Sequence, residues 1–139
     1  MNILFLCVAN SARSQMAEGI AKSILGKNHN IQSAGSEPSG KVHPNAIIAL
    51  NDKQIDISDH YSKSIDDLDK DFLDKLDFVI TLCAEEVCPV LPSNARSLHW
   101  LNQDPANENY NNEELTKAFE VTRDNLIKSI KEFCKLNVQ

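Results

Sequence analysis

The sequence predicts an α/β fold: a parallel sheet with helices on both faces. Three observations carry this. Short apolar runs alternate with helical patterns along the chain, the arrangement of parallel sheets. Asp77 to Leu82 reads as a strand buried on both faces. Cys7, Cys83 and the segment after Trp100 all fall where predicted strands end, the edge outside which such sheets bind ligands.

Residues 2–8 form the first strand, an apolar run that ends before polar Asn10. From Ser11 a helical pattern opens, with Met16, Ile20 and Ile24 on one face and Gly26 as its stop. Asn30 to Ala34 is a second strand, closed by Gly35. Residues 36–42 are a loop rich in Ser, Pro and Gly. Asn45 to Leu50 begins a helix behind Pro44, since proline suits a first helical position. The acidic stretch Ser64 to Lys75 predicts one helix whose charges form a solvated face. Asp77 to Leu82 is the third strand and Arg96 to Trp100 the fourth. Leu115, Phe119, Thr122, Leu126, Ile130 and Phe133 step by three and four, the stripe of a long last helix.

The 139 residues fit one domain, 1–139, with no repeat or linker. A chain of this size buries roughly two-thirds of its unfolded surface, enough core to need no metal or disulfide staple. The net charge of −6 argues against nucleic acid or an anionic membrane as partner. Any anion site must then be local, made of backbone amides and one or two cations. The first apolar run has no basic leader and is too short to span a bilayer. A cytoplasmic monomer is expected. In that compartment thiols stay reduced, so Cys7, Cys83, Cys88 and Cys134 read first as chemistry or packing.

The segment Cys7-Val8-Ala9-Asn10-Ser11-Ala12-Arg13-Ser14 leaves a strand and enters a helix. A tight turn there aims successive N–H groups at one point, and the helix dipole adds positive charge. The same field favours a thiolate. Val8, Ala9, Asn10, Ser11, Ala12 and Arg13 are therefore the candidate oxyanion binders around a Cys7 nucleophile. Arg13 can grip a tetrahedral oxyanion through two parallel hydrogen bonds, which Lys cannot. Ser14 is placed to donate to the Cys7 sulfur. Asn10 suits a position with positive φ. The alternative is a buried strand cysteine and a surface arginine. The strand-to-helix context counts against it.

This loop resembles the active-site loop of low-molecular-weight protein tyrosine phosphatases and thioredoxin-coupled arsenate reductases. Gln15 to Gly19, Ser33-Ala34-Gly35, Asp56 to His60, Thr81-Leu82-Cys83, and His99-Trp100 followed by Asp104-Pro105-Ala106 resemble the reductase branch in collinear order. The resemblance implies a four-stranded parallel sheet of order 2-1-3-4. It also implies that Asp104 is a general acid; by itself an Asp before Pro105 reads as a turn residue. It implies an arsenate or phosphate oxyanion as substrate, no organic cofactor, and thioredoxin, or glutaredoxin with glutathione, as electron donor.

A reductase reading uses three cysteines. Cys7 attacks arsenate, Cys83 then attacks Cys7, and Cys88 takes over Cys83 as a redox disulfide. The segment Ala84 to Val87 must then move. Two other readings of Cys83 and Cys88 stay open: inert core thiols, or half of a zinc site with His99. Without a second cysteine pair at metal spacing the zinc reading is the weaker. Cys134 sits beside the last helix's apolar stripe and reads as packing.

The chain departs from its relatives in places. Ala9 stands where many carry glycine, so the loop is expected to avoid positive φ there. Cys83 and Cys88 are closer together than in the best-known thioredoxin-coupled members. Some relatives bind potassium at positions matching Asn10, Glu18 and Ser33 plus an acidic residue; here Lys63 holds the acidic place, and no potassium dependence is expected. Two rival functions remain. A phosphatase needs only Cys7, Arg13 and Asp104, yet Ala106 and an aromatic content of 6% leave little for stacking an aryl ester. An oxyanion-binding module needs only the loop, and leaves Asp104 and the cysteine pair unexplained.

Overall fold

A computed structural model describes residues 1–84, 91 and 93–138. Strands β1 (Asn2–Cys7), β2 (Asn30–Gly35), β3 (Phe78–Thr81) and β4 (Arg96–His99) lie parallel in the order β2-β1-β3-β4. Helices α1 (Arg13–Leu25), α2 (Pro44–Asn51), α3 (Lys70–Asp74) and α4 (Asn112–Asn137) complete the fold. This is the sheet order implied by the family resemblance.

β1 is the centre of the sheet because its side chains are apolar on both faces. Side chains alternate along a strand. Ile3 and Phe5 enter one core with Met16 and Ile20 of α1, Leu50 of α2, and Phe119, Leu126, Ile130 and Phe133 of α4. Leu4 and Leu6 enter the opposite core with Val79, Leu68, Phe72 and Leu76. Each such fully buried side chain contributes roughly 1.5–3 kcal/mol. The short strand β4 is one edge of the sheet, with Arg96, Ser97 and His99 exposed. Among the described residues no helix is long and apolar enough to cross a membrane.

Two expectations need correction. Ser64 to Lys75 is not one helix: a 3₁₀ turn, Ile65–Asp67, and α3 are separated by Leu68 in extended conformation. Both pieces are capped, by the Ser64 and Asp69 side chains. Such capping residues satisfy N–H groups from non-helical backbone and so start new turns. Ile24 is 36% exposed and lies at the margin of the α1 stripe rather than in the core.

Register places the chemistry. Leu6 of β1 lies opposite Thr81 of β3, so Cys7 and Cys83 leave the same edge of neighbouring strands. At that edge Gly35 ends β2. A Cβ there would collide with the Val8 carbonyl oxygen, so only glycine lets β2 close against the loop after β1.

Candidate active site

Cys7 ends β1, 2% exposed, and the chain turns through residues 8–12 into α1. The turn is possible because Asn10 takes φ 48°, a left-handed conformation that Asn tolerates. Ala9 has no positive φ, as expected. Three loop carbonyls are engaged on the outside. Val8 accepts from the Glu37 N–H, Ala9 from the Ser39 N–H and Ser62 hydroxyl, and Ser11 from the His43 N–H. Tethering the carbonyls outward turns the loop's N–H groups toward Cys7. The Asn10 N–H donates to Cys7 Sγ at 3.3 Å. No side chain caps the start of α1, so its first N–H groups stay available to an anion.

Behind the loop the polar groups form one directed network. Asn10 Oδ1 accepts from Gln15 Nε2 (2.9 Å) and the Lys63 N–H (3.0 Å). Asn10 Nδ2 therefore donates to Ser14 Oγ (2.8 Å) and Ser33 Oγ (3.0 Å). Ser14, receiving that hydrogen bond, has its own proton for Cys7 Sγ, 2.8 Å away. Ser33 Oγ donates to Glu18 Oε1 at 2.6 Å. Glu18 also meets Lys22 (2.7 Å), His60 (3.5 Å) and Lys63 (3.7 Å). Burial pushes the Glu18 carboxyl up, but hydrogen bonds from Lys22 and Ser33 and the nearby Lys63 and His60 outweigh it. The net effect holds Glu18 below the usual carboxylate range. Burial lowers the Lys63 ammonium, against the pull of Glu18. Glu18 is thus already paired with two ammonium groups, those of Lys22 and Lys63.

In front of Cys7 lies a cavity of about 90 Å³ lined by Cys7, Ala9, Ser11, Ala12, Arg13, Asp104 and Ala106. Residues from the loop and from the segment after β4 thus converge, bringing Cys7, Arg13 and Asp104 to one cavity. Val8 and Asn10 do not line it. Val8 turns its carbonyl away, and Asn10, fully buried, supports the loop from behind. Arg13 is 4% exposed and donates from Nη1 to the Asn102 carbonyl at 3.0 Å. That bond ties the Asp104 segment to the oxyanion loop. Asp104 Oδ1 accepts from the Ala106 N–H at 3.0 Å.

Cys83 follows β3, 2% exposed, and is disulfide-bonded. Cys88, and the expected mobility of 85–87, lie outside the described residues. Cys7 and Cys134 are free thiols. Cys134 packs partly buried against the main core, and burial raises its thiol. His99 Nδ1 is engaged by Thr81 Oγ1 at 2.7 Å. Asn102, Gln15, His60 and His43 were not legible as site residues. For Asn102 the contact is a backbone carbonyl, which leaves no sequence signal.

Comparison with known proteins agrees with this geometry. Residues 2–136 match the low molecular weight phosphotyrosine protein phosphatase family. The chain is 45% identical over 135 residues to an arsenate reductase of Oceanobacillus iheyensis, covering 96% of this chain and 94% of that one. A solved arsenate reductase in the phosphate binding state superposes with TM-score 0.78 at 30% identity, covering 96% of each chain. A thioredoxin-dependent arsenate reductase of Corynebacterium glutamicum gives TM-score 0.63 at 30% identity, covering 94% of this chain and 62% of that one. A family match over nearly the whole chain and a relative 45% identical over 135 residues together show that the chain is an enzyme belonging to the low molecular weight phosphotyrosine protein phosphatase family.

Proposed function

We propose that the chain reduces arsenate to arsenite through Cys7, Cys83 and Cys88, with a thioredoxin-type dithiol as electron donor. The observation that carries the redox reading is the disulfide-bonded Cys83 beside a free Cys7 thiol at one edge of the sheet. A hydrolytic phosphatase has no use for a second sulfur there.

The cycle begins when the external dithiol reduces the disulfide at Cys83. Arsenate sits in the cavity against the loop backbone of Ala9, Ser11, Ala12 and Arg13 and the Arg13 guanidinium, where fixed donors stabilise its charge. The Cys7 thiolate attacks arsenic, and a hydroxyl group departs as water with a proton from Asp104. The Cys83 thiolate then attacks Cys7 Sγ. The S–As bond breaks with its electron pair on arsenic, so As(V) becomes As(III) and leaves as arsenite. Cys88 attacks Cys83, freeing Cys7. The new disulfide passes its oxidation to the donor.

The decisive experiment is arsenate-dependent NADPH oxidation, coupled through thioredoxin and, separately, through glutaredoxin with glutathione. Turnover with thioredoxin that Cys88→Ser abolishes supports the relay, and intact multi-turnover reduction by Cys88→Ser sinks it. The second reading, a phosphatase, draws on the family match and the same Cys7, Arg13 and Asp104. It predicts hydrolysis of a small aryl phosphate at a rate indifferent to Cys83→Ser.

A further inference from the structure

Asn102 stands outside the chemistry described so far, yet it joins three parts of the site. Its N–H donates to the Leu82 carbonyl at 3.2 Å, and the Trp100 N–H donates to the Thr81 carbonyl at 2.8 Å. The β3–β4 ladder thus runs on past His99 and reaches Asn102. The Asn102 side chain donates from Nδ2 to the Trp100 carbonyl at 3.0 Å, a local bond that folds the chain back on itself. The Asn102 carbonyl accepts from Arg13 Nη1 at 3.0 Å. Leu101, Gln103 and Asp104 are exposed, whereas Asn102 is buried, so the segment turns inward at this residue.

We propose that Asn102 is a positioning residue that aims the Arg13 guanidinium at the oxyanion cavity. This rests on Arg13 as the group that grips the oxyanion.

The anchoring gives the residue its effect. Arginine has a long flexible stem, and ordering such a side chain on binding costs affinity. Its five N–H groups lie in one rigid plane, so fixing Nη1 sets the direction of the others. A carbonyl can do this when it is itself held in place. The Asn102 carbonyl is held on two sides, through its own N–H by Leu82 after β3 and through Nδ2 by Trp100 after β4. β3 pairs with β1, which ends in Cys7. The acceptor for Arg13 is therefore tied to the same sheet as the thiol, and Arg13 lines the cavity together with Cys7.

The test is isothermal titration of the full chain with inorganic phosphate. Asn102→Ala removes the bond to Trp100 and releases the turn. It is expected to raise the phosphate Kd about 3- to 10-fold, the range for losing the prior ordering of one long side chain. Asn102→Ser returns a weaker side-chain donor and is expected to fall between Asn102→Ala and the native chain. A double-mutant cycle separates aiming of Arg13 from general loosening of the site. In an Arg13→Lys background the ammonium has no plane to be aimed, so Asn102→Ala is expected to change the Kd by less than about twofold. A loss just as large in that background overturns the proposal, because Asn102 then acts without Arg13. Native affinity in Asn102→Ala overturns it too, while weakened binding by Arg13→Lys leaves the grip in place. Unaltered affinity in Arg13→Lys refutes the grip, and the proposal with it. If Asn102→Ala does not fold, Asn102→Ser carries the same cycle, and equal losses in both backgrounds overturn the proposal.

Discussion

Asn10 and Ser14 are joined by a hydrogen bond whose direction is fixed. Asn10 Oδ1 is taken by Gln15 and the Lys63 N–H, so Asn10 Nδ2 must donate to Ser14 Oγ at 2.8 Å. Ser14 keeps its own proton and can donate it to a Cys7 thiolate at 2.8 Å. A donor held on sulfur stabilises the thiolate both before attack and when it leaves.

Ser14→Ala removes that donor and leaves Asn10 Nδ2 with Ser33 only. We expect kcat for arsenate reduction to fall about 10- to 100-fold with little change in KM, since the lost bond is made to a reacting atom rather than to bound substrate. Asn10→Asp reverses one end of the network by replacing the donor with an acceptor facing Ser14. It should cost at least as much. Steady-state kinetics on both variants checks this, and a loss confined to KM would contradict it.

Arg13 has two tasks that one lysine cannot share. In the proposed mechanism it grips the oxyanion, and in the structure it holds the Asn102 carbonyl at 3.0 Å, which anchors the segment bearing Asp104. A guanidinium offers five donors in a rigid plane, an ammonium three on a flexible stem. Arg13→Lys is expected to lower kcat/KM for arsenate by about 10²-fold or more, within the range for losing one fixed donor to developing charge. Isothermal titration with phosphate should show weakened binding in the same variant. Unaltered phosphate affinity would place Arg13 outside the oxyanion site.

The Lys63 ammonium stands 3.7 Å from Glu18 Oε1, with Lys22 and His60 on the same carboxylate. Positive charge behind the loop is thus supplied by the chain. Replacing potassium by sodium at equal ionic strength should leave kcat/KM for arsenate unchanged within about twofold, a difference of less than 0.5 kcal/mol. Lys63→Asp, which removes that charge and adds its opposite, should create a potassium response. A large rate loss of the native enzyme in sodium would count against Lys63 in this role.

What the sequence disclosed and what it hid follow from the range of the interactions. The β1-to-α1 junction was legible because Cys7, Asn10 and Arg13 are close in sequence and their geometry is local. The two-sided core was legible because strand and helix periods mark buried faces. The break at Leu68 was hidden, since charge-rich sequence fits a helix and a capped turn equally well. Asn102 was hidden because Arg13 reaches its backbone across 89 positions, where side-chain identity carries nothing. His60 and Gln15 lie 45 apart in sequence and meet at 3.1 Å only once the loop before the 3₁₀ turn folds back over α1.

That fold-back gives the protein an acid-sensitive side. Burial lowers the His60 imidazole below its usual value near 6.5; Glu18 and Asp59 pull it up, Lys22 and Lys63 push it down. A base held below its unfolded value binds fewer protons folded than unfolded, so stability rises with pH. The contribution of neutral His60 is therefore complete above about pH 6.5 and is lost as pH falls through its folded value. Glu18, held below 4.5, adds a second loss, which begins below that pH and deepens toward its folded value. Urea unfolding midpoints should thus be flat from pH 8 to 7, decline from about pH 6.5, and steepen below 4.5. His60→Gln keeps a polar partner for Gln15 but cannot take up a proton. It should flatten the first decline and leave the second. A midpoint that falls equally in both proteins between pH 6.5 and 5 would assign that loss to another group.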